Sequence, residues 1–198
     1  MCRFLSGIAF KNGDVTCLPE ATHSHEDLIR YLKLKDKDER LRSWCRVEFS
    51  PDTYADLATV EKYKLVVDDA VPAWWDDAKE SVERSMRRIV SQIIIAEDRD
   101  IVLGGFWIIG DGIKVNCIKN ARVHVMLGSS QVGKMWGSSQ VGEMWGSSQV
   151  GEMWDSSQVG EMLGSSQVGE MLDSSQVRTK GRDVIIKHDS RIVAAEAK

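Results

Sequence analysis

Three groups of residues in this chain have the types and spacing that chemistry needs. The first is a carboxylate two residues before an indole: Glu143 before Trp145 and Glu152 before Trp154, with Lys134 standing before Trp136. If the indoles point outward, the repeat bears apolar strips next to carboxylate ladders, so acids and aromatic rings would be presented side by side. Such a combination suits recognition of another protein better than bond making. The second group is His23 and His25, with Cys17 or Cys45 as conceivable further zinc ligands. Their spacing matches no zinc framework and they fall in separate elements, so cap and loop roles are expected and no metal is assigned. The third is Trp74 and Trp75, which could stack on a base or nucleotide at a helix start. Packing inside the fold is the expectation that competes with it. With His25 they would form whatever site the amino-terminal region has.

The remaining chemistry is sparse. Cys117 has no paired His and Asp, and a core position is expected for it. The serines recur without a base beside them. There is no phosphate-binding glycine loop, dinucleotide fingerprint or HExxH. A non-enzymatic protein without a cofactor is therefore expected. Should an activity exist, it belongs to a pocket near His25, Trp74 and Trp75.

The acid and indole pairs lie in a repeat, and the repeat dictates the elements that must carry them. From Gly128 to Val177 the chain repeats Gly-Ser-Ser-Gln-Val-Gly-Glu-Met-Trp at a period of nine, with Ser-Ser-Gln-Val beginning at Ser129, Ser138, Ser147, Ser156, Ser165 and Ser174. One such unit cannot bury its own apolar face and must stack on its neighbours. Ser139, Val141 and Met144 form the inward set, with Gln140 and Glu143 outward. Two glycines and two serines per unit oppose a helix. The expectation is a β-solenoid with two units to each 18-residue coil, because nine extended residues would span roughly 30 Å.

In such a stack Val132, Val150 and Val168 make one buried ladder and Val141, Val159 and Val177 the other. Met135, Met153 and Met171 face Met144 and Met162. Gly133, Gly142, Gly151, Gly160 and Gly169 are expected at tight corners. Trp136, Trp154 and Leu172 align along one edge, and Leu127, Trp145 and Leu163 along the other. Glu152 and Glu170 follow Lys134 on one side; Glu143 and Glu161 line the opposite side. Whether the indoles point outward or plug the coil is open from sequence. With Gln140 and Gln149, the three tryptophans and four glutamates form the candidate partner surface. Calcium is not expected, since carboxylates other than the glutamates occur in the repeat only at Asp155 and Asp173.

Around this block the chain reads as an α+β region over 1–100, a solenoid over 101–187 and a charged tail over 188–198. Asn12-Gly13 signals a hairpin. Ser24 is the expected N-cap of a helix, with Asp27 completing a capping box. Strands follow at Trp44 to Phe49 and Tyr63 to Val67. A helix then opens at Pro72 and runs to about Ile94, with Trp75, Val82, Met86, Ile89, Val90 and Ile93 on one stripe. Ala121, Val123 and Met126 match the repeat, and Ile113-Lys114-Val115 is an earlier half-coil. Asp183 to Lys187 adds a last strand. The amino-terminal region is expected to cover the first coil, because a bare stack end offers unpaired strand edges.

A net charge of −4 disfavours direct nucleic-acid binding. No apolar run is long enough to span a bilayer, and the first residues make an unconvincing signal peptide. A cytoplasmic location with reduced thiols at Cys2, Cys17, Cys45 and Cys117 is the resulting expectation.

Ser24-His25-Glu26-Asp27-Leu28, Arg46 to Pro51, Pro72 with Trp74 and Trp75, Gly104 to Ile108 and the Ser-Ser-x-Val tail together resemble a family of bacterial and bacteriophage proteins of unassigned activity. The resemblance implies the same two-part architecture and an association with phage genomes; it brings no catalytic residues. It makes a host protein, such as a defence factor inhibited by a nucleic-acid-mimicking surface, the concrete expectation for the partner. Assembly through the carboxy-terminal end of the solenoid, as a homodimer or virion part, is the structural alternative. Ice or surface binding through the Ser-Gln ladders is a third reading.

Overall fold

A computed structural model describes residues 5–22, 24–35, 42–181, 184–189 and 195–196, and divides the chain into two compact units, Met1–Gln92 and Ile93–Lys198. Cys2 and His23 lie outside the described residues.

The first unit is built on an antiparallel sheet. Strands β1 (Leu5–Phe10), β2 (Val15–Thr16), β3 (Trp44–Ser50) and β4 (Lys64–Val67) lie in the order β2-β1-β3-β4. The expected hairpin closes with the Phe10 N–H donating to the Asp14 carbonyl at 2.9 Å. Gly13 sits there at φ +86°, and a Cβ would come within 2.6 Å of the Ser81 hydroxyl, so both backbone conformation and space demand glycine.

Helix α1 (His25–Tyr31) packs Leu28 against Ile8 and Trp44 on one face of the sheet. Its cap differs from the expected box. The Asp27 N–H donates to Ser24 Oγ as anticipated, at 3.3 Å, but the Ser24 N–H donates to Thr22 Oγ1, whose hydroxyl in turn donates to the Asp27 carboxylate. The reciprocal bond is thus relayed through Thr22. Helix α2 (Trp75–Ile93) buries Trp75, Ala78, Val82, Met86 and Val90, a spacing of three and four residues that gives one stripe. It begins at Trp75, three residues after Pro72. Its Arg87 guanidinium lies over Phe49, on the sheet face opposite to that of Trp44.

The second unit is the solenoid. Strands β5 (Ile94–Ile95), β7 (Phe106–Ile109), β9 (Arg122–Met126), β11 (Gln140–Met144), β13 (Gln158–Met162), β15 (Gln176–Lys180) and β17 (Ala195–Glu196) form one parallel sheet. The other contains β6 (Arg99–Leu103), β8 (Lys114–Lys119), β10 (Gln131–Trp136), β12 (Gln149–Met153), β14 (Gln167–Met171) and β16 (Ile185–Asp189). Successive strands alternate between sheets, so each nonapeptide is half a coil. Gln131 pairs with Gln149 and Gln140 with Gln158, an offset of 18 residues, as the repeat required. Earlier coils are shorter: Lys114 pairs with Gln131 and Arg99 with Val115. The stack starts at Ile94, ahead of the expected 101, because the short strand β5 already pairs with β7.

Inside runs one core of the valine and methionine ladders, continued upward by Ile95, Val102, Ile109, Val115, Ile118, Val123 and Met126. The six serines at Ser130, Ser139, Ser148, Ser157, Ser166 and Ser175 are buried with them. Among the described residues no helix is long and apolar enough to cross a membrane.

The two glycines of each unit have different jobs, and the expected corner assignment is corrected here. Positive φ occurs at Gly128, Gly137, Gly146, Asp155, Gly164 and Asp173, each opening a turn closed in five of the six by a serine N–H to the carbonyl three residues back. Gly133, Gly142, Gly151, Gly160 and Gly169 instead lie within strands, between an inward Val and an inward Met. A Cβ on Gly151 would stand 2.5 Å from the Gly133 carbonyl oxygen, and one on Gly160 only 2.4 Å from that of Gly142. Backbones stacked this closely leave no room for a side chain.

Candidate functional site

The outward face of the solenoid is where the repeat concentrates chemistry. Because Val132 and Met135 both point inward, the two residues between them point out. The residue after each Met also points out by ordinary pleating. That pleat puts the carboxylate and the indole of Glu-Met-Trp on the same side of the strand. Trp145 Nε1–H donates to Glu143 Oε2 at 2.7 Å, and Trp154 Nε1–H to Glu152 Oε2 at 2.8 Å.

The tryptophans therefore face outward; they do not plug the coil. Trp136 is 41% exposed, and its ring lies 6.5 Å from that of Trp154 in the next coil. Lys134 replaces the glutamate beside Trp136, and its ammonium reaches Glu152 at 3.1 Å. Lys134, Glu152, Trp154 and Trp136 thus make a closed cluster across two coils. The indole donor, and next the lysine, hold the Glu152 carboxyl below the usual range. Glu161 and Glu170 continue the two acidic rows in register, with leucines at 163 and 172 where the indoles stood.

Gln140 and Gln149 point outward and belong to separate ladders, Gln140 with Gln158 and Gln149 with Gln167. The first ladder borders a trough lined by Arg122, Gln140, Gly142, Gln158, Gly160 and Arg178, where Arg178 donates to Gln158 Oε1 at 3.0 Å. Sequence reasoning missed this trough. Its signal was a pair of outward glycines, Gly142 and Gly160, at a spacing of 18, with Arg178 in the next place of the same row. Asp155 and Asp173 serve the turns: Asp155 Oδ2 accepts from the Gly137 N–H and Asp173 Oδ2 from the Asp155 N–H. Cys117 is half-buried in the outward row between Ile101 and Lys134, so its expected core position is corrected. Val115 and Ile118 take the inward places on either side of it.

In the amino-terminal unit the three candidate residues have separate surroundings. Trp74 and Trp75 are both buried, with ring centroids 6.2 Å apart, and Trp74 Nε1–H donates to the Arg42 carbonyl. Neither offers an open face for stacking a base. His25 is buried, with Nε2 3.0 Å from the Val47 carbonyl oxygen and Nδ1 3.4 Å from Asp68 Oδ2. Its neighbours in space are Glu48 and Asp68, which spacing alone did not suggest. Burial pushes the Cys17 and Cys45 thiols up to about 12, with Asp69 adding to the shift at Cys45. Both are thus held protonated and unreactive. Beside this cluster Asp69 is buried against Arg42 at 2.9 Å and lies 3.8 Å from Arg46.

No family model, curated protein or solved structure matches this chain.

Proposed function

We propose that the chain is a non-enzymatic binding protein whose solenoid presents an acidic and aromatic surface to a cationic partner protein. The observation that carries this reading is the Trp136 and Trp154 pair: two large indoles set against each other at a tilt outside the core, with a fixed carboxylate beside them. Large aromatics held rigidly at a surface cost little ordering on contact, and tryptophan dominates the energetic centres of interfaces. The rows ending in Glu161 and Glu170 supply charge that steers a basic partner. In its concrete form, drawn from the resemblance to phage proteins, the partner is a host defence factor and the protein inhibits it by occupying a groove meant for nucleic acid.

The test compares intact protein with a chain lacking residues 128–163, which removes two whole coils and keeps the register. The partner is captured with the intact chain, identified, and then titrated with Glu143→Gln, Glu152→Gln, Glu161→Gln and Glu170→Gln combined, and separately with Trp136→Ala and Trp154→Ala. Loss of binding in both sets supports the reading. Unchanged affinity in both removes it.

A second reading has its own observation. Among the described residues strands β16 and β17 are the last in their sheets, and Ile185 on β16 is 48% exposed. Strand edges at a stack end invite a second copy. Sedimentation at increasing concentration separates the two readings, since assembly through this end predicts a dimer.

A further inference from the structure

We infer that His25, Glu48 and Asp68 form a binding site for one divalent transition-metal ion. One nitrogen or oxygen atom from each of the three side chains lies within 4.8 Å of the others. Donors on opposite sides of a zinc ion are up to about 4.2 Å apart, so small rotations of two carboxylates are sufficient to close the set.

The imidazole is oriented for this role. A carbonyl oxygen can only accept, so the 3.0 Å contact with Val47 assigns the proton to Nε2. That leaves the Nδ1 lone pair facing the Asp68 carboxylate at 3.4 Å, and a carboxylate also only accepts. Two acceptors turned toward each other require a cation or a second proton between them. A backbone carbonyl that fixes the distal N–H is the usual support of a metal-bound histidine.

The surroundings leave the site open to an ion. The nearby guanidinium groups of Arg42 and Arg46 both reach Asp69. His25 and Glu48 are buried, at 2% and 8% exposure, whereas Asp68 is 54% exposed and leaves an entry from solvent. One imidazole and two carboxylates suit Zn2+, Co2+ or Mn2+, with water completing the shell. The donors come from α1, from β3 and from the residue following β4, so a bound ion clips the helix to the sheet.

Calorimetry of the metal-free full-length chain with ZnCl2, and the visible absorption of a CoCl2 titration, test the site. The expected result is one ion per chain with saturation, and affinity lowered at least about tenfold in both Asp68→Asn and Glu48→Gln. Asp68 is exposed, so its variant should stay folded, and circular dichroism of Asp68→Asn checks that it does. Absence of saturable binding at millimolar Zn2+ overturns the site and leaves a protonated imidazole paired with Asp68. Undiminished binding in a folded Asp68→Asn also overturns it, since the ion would then sit elsewhere.

Discussion

The two units solve the problem of buried polar groups in opposite ways. In the amino-terminal unit the large ones have dedicated partners, with Trp74 on the Arg42 carbonyl, Tyr63 on the Leu57 carbonyl, His25 on Val47 and Arg42 on Asp69, while the exceptions among the described residues are Ser6 Oγ and Arg46 Nε. In the solenoid five of six buried serine hydroxyls have no partner at all, and only Ser139 reaches the Trp136 carbonyl, at 2.6 Å. The first unit is specified by single contacts made once. The second is specified by repetition, where a ladder tolerates an idle hydroxyl because the backbone and the valine and methionine rows already fix the register. It follows that the first unit should be sensitive to loss of a polar partner and the second to loss of backbone space.

The largest effect expected is at Asp69. Asp69→Ala takes the buried carboxylate away from Arg42, whose side chain is only 6% exposed, and breaking a buried pair from one side costs about 3–5 kcal/mol. Hydrogen exchange should place the loosening in residues 5–92 and leave the solenoid protected; loosening in the stack instead would break the comparison. Next comes Gly151→Ala. Its Cβ would press on the Gly133 carbonyl oxygen at 2.5 Å, so urea unfolding should show a loss of about 1–3 kcal/mol, large for one methyl group.

How far all this was legible follows from the same contrast. The 18-residue coil, both valine ladders and the outward Gln and Glu positions could be read from nine-residue periodicity, whereas the direction of the indoles could not. The turn position was misread because glycine recurs twice per unit, once for positive φ and once for lack of a Cβ. The distinction was present in the sequence: Asp155 and Asp173 replace glycine only at the turn, and Asp tolerates left-handed backbone. Glu48 and Asp68 could not be assigned to His25, because their meeting depends on how β3 and β4 pair and on where α1 packs. Nothing local records that. The outward place of Cys117 was hidden for a related reason, since a strand with two inward residues three apart departs from simple alternation.

Smaller effects sharpen the contrast. Ser139→Ala should cost about 1 kcal/mol, because its hydroxyl bonds the Trp136 carbonyl, while Ser148→Ala should be neutral or stabilising. Ala121 already occupies the equivalent place one coil before Ser139. Matched thermal melts of the two variants check the sign. The pH response should be smaller still. Asp111, lowered mainly by the Ser129 backbone N–H, and Glu152, lowered mainly by the Trp154 indole, contribute stability above the ordinary carboxylate range near 4. That contribution disappears as pH falls through their depressed values. Tryptophan emission followed downward from pH 5 should therefore change only in strongly acidic solution, and less so in Glu152→Gln.

The alternation of half-coils between two sheets also bears on inheritance. Nearly identical tandem copies in a gene are prone to gain or loss of single units during replication. A change of one nonapeptide moves every later strand to the opposite sheet, so β16, which closes the six-stranded sheet, would join the seven-stranded one. A change of two restores the original assignment and merely lengthens or shortens the stack. Viable length variants of this protein should thus differ by even numbers of units, a parity rule that a survey of natural repeat counts would expose.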